Sequence, residues 1–497
     1  MNATFWALVP PLIAIIISLI TKEVNLSLFV GIAVGSLIFT GGNVFSSATT
    51  AFEIMGSKVQ GNMGVLIFII ILGMIVHLMN MSGATYQYAQ WASKRLKSKK
   101  QSLLATMALG IIIFVDDYFN CLTVGTVMRP ITDKNRISRE KLAYIIDSTA
   151  APVCIIAPIS SWAAAVSSSL PDGSSIDGFT LFIKTIVCNY YSWFSLAFIL
   201  ITTLLAVDFG KMKQFELAVQ KEPIADAVFT ENKEYRGKVI DLILPVVGII
   251  AFSIVSMLYT GGYFEGGISI GEAFANCDAI MGLAMGALYT VLFLALLYLP
   301  RKIVTPKEFL DGLVEGFKNM VPATLILVLA WTLSGICGGD YLNAGGFVAN
   351  IVESYHISMT FMPAIFFVVA VLLAFSTGTS WGTFAILLPI TVSVFSDQMT
   401  TMMVMTTAAV LGGSVCGDHL SPISDTTILS STGAGCDHIN HVESQIQYGG
   451  VVAIVTFSSY LLAGVLRYQL VGMMVGLVGL IAFGLYLLTR SIVEERL

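Results

Sequence analysis

Within an otherwise apolar chain, Cys416-Gly417-Asp418-His419-Leu420-Ser421-Pro422-Ile423-Ser424-Asp425-Thr426-Thr427 brings together two acids, a histidine, four hydroxyls and a proline. In a bilayer each ionisable group is expensive, and irregular backbone is tolerated only where it is buried in protein or lines a wet cavity. The stretch therefore reads as a broken transmembrane helix whose break binds an ion or a small solute. Pro422 removes one donor and frees a carbonyl one turn back. Freed carbonyls together with Asp418, Ser421 and Asp425 form an oxygen set suited to a hard cation such as sodium. His419, Ser424 and Thr426 complete this candidate set. The competing reading is a loop at the membrane surface, where an unpaired charge would be rare without a function.

Three other clusters could share this work. Asp116 and Asp117 are adjacent, and two like charges in low dielectric cannot both ionise cheaply, which suits a proton-sensitive site. One of them could instead cap the helix that follows. Asn120 and Thr123 would add neutral oxygens. Asp147, about three turns before a second Pro-Ile-Ser break, is an ion-path candidate or a cytoplasmic cap, and Ser160 and Ser161 supply hydroxyls at that break. Thr377-Gly378-Thr379-Ser380 is neutral. Its glycine permits close backbone approach and its hydroxyls and helix-start amides suit a carboxylate, whereas the plain alternative is a tight turn that needs glycine. Cys436-Asp437-His438 with His441 has the look of metal ligands, but offers only three good donors and no partner cluster, so it reads as a solvated helix start. His77 and Lys184 are lone polar groups, the latter able to snorkel.

The chain that must position these residues has 497 of them, 56% hydrophobic and 11% charged, with a mean hydropathy of +0.84. Soluble domains carry about 25% charged residues, so the solvent of this chain is a bilayer. No basic stripe points to nucleic acid, and no Walker-type loop points to an ATP-driven pump. The seven scattered cysteines read as reduced fillers. The N-terminal run reads as a retained first span, not a signal peptide. The composition predicts an all-α polytopic membrane protein.

Apolar spans fall near 5–21, 26–41, 63–80, 140–166, 179–206, 237–259, 275–299, 319–338, 401–430, 447–466 and 470–489, eleven in all. Two more stretches, 101–130 and 359–390, are interrupted midway by Asp116-Asp117-Tyr118-Phe119-Asn120 and by Ser376-Thr377-Gly378-Thr379-Ser380. Basic residues flank both ends of 101–130 and neither end of 359–390. The positive-inside rule thus makes them re-entrant hairpins entering from opposite faces, with the N-terminus outside and the C-terminus inside. Segment 300–318 should be a cytoplasmic loop. Ala157-Pro158-Ile159-Ser160 mirrors Ser421-Pro422-Ile423-Ser424, and each half runs span, hairpin, broken helix, span. Inverted repeats with discontinuous helices mark secondary transporters. The expected divisions are N-terminal scaffold spans at 1–62, a first inverted repeat at 63–206, a cytoplasmic linker at 207–238, scaffold spans at 239–318, a second repeat at 319–466, and a last span with tail at 467–497.

Four separated motifs carry a resemblance: FVDDYFNCLTVG (114–125), MRPITDKNRISREKLAYIIDSTAAPVCIIAPISSW (128–162), FSTGTSWGTFAILLPI (375–390) and GDHLSPISDTTILSSTGAGCDHINHV (417–442). They resemble the NhaC-type sodium/proton antiporter family of the ion transporter superfamily, in the right order and over nearly the whole chain. The resemblance implies scaffold and transport domains and a homodimer working by an elevator-like motion. It also implies a bacterial-type cytoplasmic membrane, with sodium and protons as partners, sodium as the coupling ion and no other cofactor. Members include sodium/proton, malate/lactate and proposed amino-acid carriers. Typical antiporters read Gly-Asp-Lys where this chain has Gly417-Asp418-His419. Two readings follow: sodium/proton antiport through Asp418 and Asp425, or sodium-coupled carriage of a small organic solute in a pocket lined by Trp162 and Trp381. A channel suits broken inverted helices less well. No nucleophile–base set suggests an enzyme.

Overall fold

The computed structural model describes residues 4–496 apart from 22, 62, 85–86, 88–94, 115–116, 159, 169, 171–175, 222–235, 345–346, 348–357 and 396–397. The fold is all-helical, and the described residues contain no strand. The first part comprises α1 (Val9–Thr21), α2 (Val24–Phe39), α3 (Val44–Gly61) and α4 (Met63–Met81). It continues with α5 (Lys99–Ile112), α6 (Asp117–Lys134), α7 (Arg139–Thr149), α8 (Ala151–Cys154), α9 (Ser161–Ser168), α10 (Gly178–Thr185) and α11 (Tyr190–Leu205). After α12 (Gly210–Lys221) come α13 (Ile240–Thr260), α14 (Ile270–Asn276), α15 (Ala279–Tyr298) and α16 (Pro306–Ile336). The last part comprises α17 (Met362–Thr377), α18 (Ser380–Val394), α19 (Thr401–Leu420), α20 (Asp425–Ala434), α21 (His438–Leu466) and α22 (Gln469–Arg496).

Three of the interruptions fall where proline, glycine and hydroxyl residues cluster, and the fourth falls between Ile112 and Asp117. The stretch 101–130 divides into α5 and α6, and 359–390 divides at Gly378, which takes φ +67 and closes α17 in the left-handed region that glycine tolerates. The stretch 401–430 divides at 421–424 into α19 and α20. The stretch 140–166 is broken by the non-helical residues after α8. The order helix, break, helix thus recurs in both halves.

Elsewhere the helices depart from expectation for local reasons. The α3 helix was not anticipated, because VFSSATTAFEIMGSKVQG contains no apolar run; it follows α2 at a 117° bend, through Gly41 (φ +66) and Gly42 (φ +92). The span 179–206 is two pieces bent by 45°. At the bend Asn189 caps α11, accepting from the Ser192 amide at 3.4 Å. The expected loop at 300–318 is helical from Pro306, because Thr305 and Glu308 form a capping box and proline is tolerated in the first turn. Asp437 caps α21 by accepting from the Asn440 amide at 2.9 Å, so that helix begins at His438, ahead of the expected 447. The first part of the linker is the helix α12. Its buried Glu216 accepts from the Ser138 amide at 2.8 Å and hydroxyl at 2.7 Å and pairs with Lys99. Residues 222–235 of the linker lie outside the described residues.

Among the described residues, five helices are long and apolar enough to cross a bilayer, or seven if each of two bent pairs is one span. That count is lower than eleven in part because 101–130, 140–166 and 401–430 divide into helices that do not qualify alone, whereas Met359–Thr377 of the second hairpin does. The apolar interior forms three clusters, and they meet at the broken helix. Val415 and Cys416 of α19 belong to the first. Leu429 and Ala434 of α20 belong to the second, and Ile423 in the break belongs to the third. Its apolar helices make the protein a multi-pass membrane protein.

Candidate functional site

Glycine decides how the hairpins approach the break. A Cβ on Gly417 would lie 2.2 Å from the Val371 carbonyl oxygen, and one on Gly413 2.6 Å from that of Phe367, so α19 and α17 pack backbone against backbone. A Cβ on Gly125 would lie 2.4 Å from the carbonyl carbon of Gly433, so α6 meets α20 in the same way. A Cβ on Gly378 would lie 2.3 Å from the Ile423 carbonyl oxygen, which seats the tip of the α17–α18 hairpin on the break itself.

The break is held from both sides. Ser424 caps α20, accepting from the Thr427 amide at 3.1 Å. Ser421 donates to the Phe375 carbonyl at 2.8 Å, tying the end of α19 to α17. The carbonyl of Pro422 lies 2.8 Å from His438 Nε2.

These elements bring two buried carboxylates together. Asp418 Oδ2 accepts from Ser380 Oγ at 2.9 Å and from Thr426 Oγ1 at 3.0 Å. Its other oxygen is buried with no hydrogen-bond partner among the described residues. Asp425 Oδ2 accepts from Tyr118 OH at 2.5 Å, and Oδ1 accepts from the Thr426 amide at 2.8 Å. Thr426 thus touches both acids, and Ser424 Oγ lies 3.2 Å from its hydroxyl. No lysine or arginine among the described residues pairs with either acid.

A second cluster adjoins the first. Asp147 Oδ2 accepts from Thr427 Oγ1 at 3.0 Å and from Gln445 Nε2 at 2.5 Å. His441 Nε2 lies 3.6 Å from the same oxygen, and His419 Nε2 lies 3.9 Å from Oδ1. Asp147 is fully buried, so it does not cap a cytoplasmic surface as one reading held. The reading of Cys436, His438 and His441 as a solvated helix start is also corrected. His441 is buried at 0% exposure, and His438 is part-buried, its ring 3.3 Å from Ser431 Oγ. The residues that cover them come from α7 and α20, more than a hundred and about ten positions away. No group of three or more His, Cys, Asp or Glu among the described residues is arranged for a metal.

The remaining candidates spread around this centre. Asp116 lies outside the described residues. Asp117 accepts from the indole of Trp162 at 3.2 Å, linking the first hairpin to the first break. Asn120 donates to the carbonyls of Gly110 at 2.7 Å, Ile113 at 2.8 Å and Thr149 at 3.3 Å, which ties the end of α5 to α7. Thr123 lines a small apolar cavity of about 10 Å³ with residues of α4 and α13, apart from the acids. Ser160 donates to the freed carbonyl of Cys154 at 2.7 Å and so caps the first break. Ser161 begins α9. Thr377 donates to the Leu373 carbonyl at 2.9 Å, and the Thr379 hydroxyl accepts from the Gly382 amide at 3.4 Å, so both serve their own helices. Of the hairpin hydroxyls, Ser380 is the one that reaches an acid. Trp162 and Trp381 pack edge to face with ring centroids 6.0 Å apart, and the Trp381 indole nitrogen is buried with no hydrogen-bond partner among the described residues.

Four contributors escaped sequence reasoning: Tyr118, Tyr191, His441 and Gln445, whereas Thr427 stood inside the motif. His441 stood in the Cys-His cluster. The others carry no local signal, because their partners lie far away in the chain.

The fold and this oxygen-rich centre can be set beside known proteins. A model of the Na+/H+ antiporter family matches residues 172–465. The chain belongs to the Na+/H+ antiporter family. An uncharacterized protein of Haemophilus influenzae is 35% identical over 97% of this chain and 95% of its own length. The malate-2H+/Na+-lactate antiporter of Bacillus subtilis is 28% identical over 38% of this chain and 38% of its own. An arginine/ornithine antiporter of Halobacterium salinarum is 25% identical over 45% of this chain and 41% of its own. This antiporter-family chain is accordingly a secondary transporter and not an enzyme.

Proposed function

We propose that the protein exchanges sodium for protons, with Asp418 and Asp425 holding the cation in one phase of the cycle and protons in the other. The observation that carries this reading is the buried, unpartnered Oδ1 of Asp418 beside Asp425, both among oxygen donors and joined through Thr426. A hard cation prefers oxygen ligands, and two acids without a basic partner must be neutralised by something that can arrive and leave. Sodium would bind at Asp418, Ser421 and Asp425. The hydroxyls of Ser380, Ser424 and Thr426 would hold the acids in place.

The same reading places the protein in a bacterial-type cytoplasmic membrane with eleven spans and two hairpins, the N-terminus outside and the C-terminus inside. Scaffold spans at 1–62 and 239–318 would hold the two inverted repeats at 63–206 and 319–466. Those repeats would move in an elevator-like manner within a homodimer. The test is made in liposomes. Sodium added to acidified vesicles should evoke proton efflux, reported by a pH-sensitive dye, and Asp425→Asn should abolish it. Sodium-independent proton movement, or full activity in Asp425→Asn, defeats the proposal.

A second reading has its own support. Trp162 and Trp381 face one another beside the two breaks, with an indole donor to spare, and two relatives are named for organic solutes. In that case sodium would sit at the acids and a small carboxylate or amino acid at the tryptophans. Sodium-driven uptake of a labelled solute would favour it, and its absence across both classes would remove it.

A further inference from the structure

Away from the buried carboxylates, a cavity of about 90 Å³ lies where the linker helix α12 meets the last helix α22. That is several times the space a single water needs. Lys213 of α12 lines it together with Arg490 and Ser491 of α22, and Leu487 adds an apolar wall. Asp208 and Phe209, from the turn that leads into α12, complete the lining on that side.

The acid in this lining is already answered inside the protein. Asp208 accepts from Lys141 Nζ at 2.5 Å and from Tyr448 OH at 2.9 Å. Burial alone would raise the Asp208 carboxyl, but Lys141 and Lys99 hold it below its ordinary value. Lys141 thus takes up the Asp208 charge, and Lys213 and Arg490 bring two further positive charges to the cavity. Lys213 carries three donors and Arg490 five, so each can hold an anion alongside the other contacts that it makes.

The walls are fixed by the fold. Gly210 starts α12 with φ +58, and a Cβ there would collide with Gln447 Oε1 of α21. The same oxygen accepts from the Lys211 amide at 2.9 Å. Phe209 stacks on Tyr448 with ring centroids 4.3 Å apart and meets Phe483 of α22 edge-on at 5.7 Å. One turn beyond Lys213, Glu216 holds Ser138. The start and middle of α12 are therefore pinned, and the space between Lys213 and Arg490 is built into the packing.

The depth of the cavity points to its occupant. Gln469–Val493 of α22 is long and apolar enough to cross a bilayer, and Arg490 lies in the last turn of that span. Leu485, Tyr486, Ile492 and Val493 are exposed around it, as is Leu217 on α12. An exposed tyrosine and an arginine at the end of a span mark the polar boundary of the bilayer. A basic pocket between helices at that level suits a lipid headgroup.

We propose that this cavity binds the phosphate of an anionic phospholipid, held by Lys213, Arg490 and the Ser491 hydroxyl, and that the lipid fastens the linker helix to the last helix. The chemistry recognised is a phosphate oxyanion. Arg490 offers a planar fork of donors, Lys213 a compact charge and Ser491 a neutral donor. A free phosphate shares that chemistry. The exposed apolar side chains beside the cavity favour the lipid, because acyl chains cover them and a dissolved anion does not. The site stands apart from Asp418 and Asp425, so it does not depend on the sodium/proton reading.

The test titrates the purified full chain, in a non-ionic detergent, with phosphatidylglycerol while native mass spectrometry counts the bound lipids. Phosphatidylcholine and inorganic phosphate are the comparison ligands. One phosphatidylglycerol should bind more tightly than phosphatidylcholine, and inorganic phosphate at equal concentration should not displace it. Lys213→Gln and Arg490→Gln should each weaken that binding about fivefold, and the double variant about twenty-five-fold. Lys221→Gln, at the far end of α12, should leave it unchanged. Wild-type binding in the double variant overturns the site. An equal loss in Lys221→Gln shows attraction to a generally positive surface and overturns it as well. Displacement by inorganic phosphate at equal concentration makes the site one for a soluble anion and overturns the lipid. If the double variant does not fold, the two single variants decide by the same measure.

Discussion

Gly378→Ala isolates the contact between the second hairpin and the break. Two effects add at this position. The residue has φ +67, which disfavours a side chain by about 1 kcal/mol. The new Cβ would also lie 2.3 Å from the Ile423 carbonyl oxygen, where real contacts stay beyond 3.0 Å, so tip and break must separate by about 0.7 Å. Ser380, two residues on, donates to Asp418 at 2.9 Å. A withdrawal of that size stretches this bond to about 3.6 Å, past useful length. A hydrogen bond to an ionised group contributes about 1.5–3 kcal/mol, so apparent sodium affinity should fall roughly 10- to 100-fold. The assay is the sodium dependence of exchange in liposomes. Gly262→Ala is the control: it has φ +81, but its Cβ would meet nothing nearer than 3.9 Å, so it carries the backbone cost without the collision. Wild-type sodium dependence in Gly378→Ala would refute the claim that the hairpin tip sets the geometry of Asp418.

Three further outcomes follow from particular contacts. Thr426→Val keeps the shape of the side chain but removes the hydroxyl that joins Asp418 to Ser424; sodium affinity from direct binding should drop about tenfold, and an unchanged affinity would reduce Thr426 to a helix-start residue. Glu216→Ala strips two hydrogen bonds from Ser138 and one ion pair from half-exposed Lys99, so thermal unfolding in detergent should show a loss of about 2 kcal/mol, whereas an unshifted midpoint would mean that α12 is not clamped to α7. Trp381→Phe removes an indole donor while retaining most of the ring packing against Trp162; sodium/proton exchange should stay within about threefold of wild type, and a larger loss would favour the organic-solute reading.

The breaks were legible because their chemistry is local. Proline at 422, glycine at 378 and the flanking hydroxyls cannot continue a helix in lipid without partners, and the interruptions fall at those residues. The carboxylates Asp418 and Asp425 were legible for a similar reason, as charges in an apolar run. The partners of these groups were not. Tyr118 is 307 positions from Asp425 and Gln445 is 298 from Asp147, and only the packing of α6 and α21 on the broken helix unites them. His441 was misread because a histidine near a charged turn looks solvated until α7 and α20 are seen to cover it. The α3 helix was missed because its apolar residues are spaced around Ser, Thr, Glu and Lys and form no run.

In the proposed exchange, sodium and protons compete for the Asp418–Asp425 pair. Equilibrium sodium binding to the purified protein, measured across a series of pH values, tests it most directly. Competition predicts weaker sodium binding as pH falls, approaching tenfold per unit for each displaced proton, and no measurable binding in Asp418→Asn or Asp425→Asn proteins that remain monodisperse. Sodium binding independent of pH, or retained in both variants, would rule this competition out.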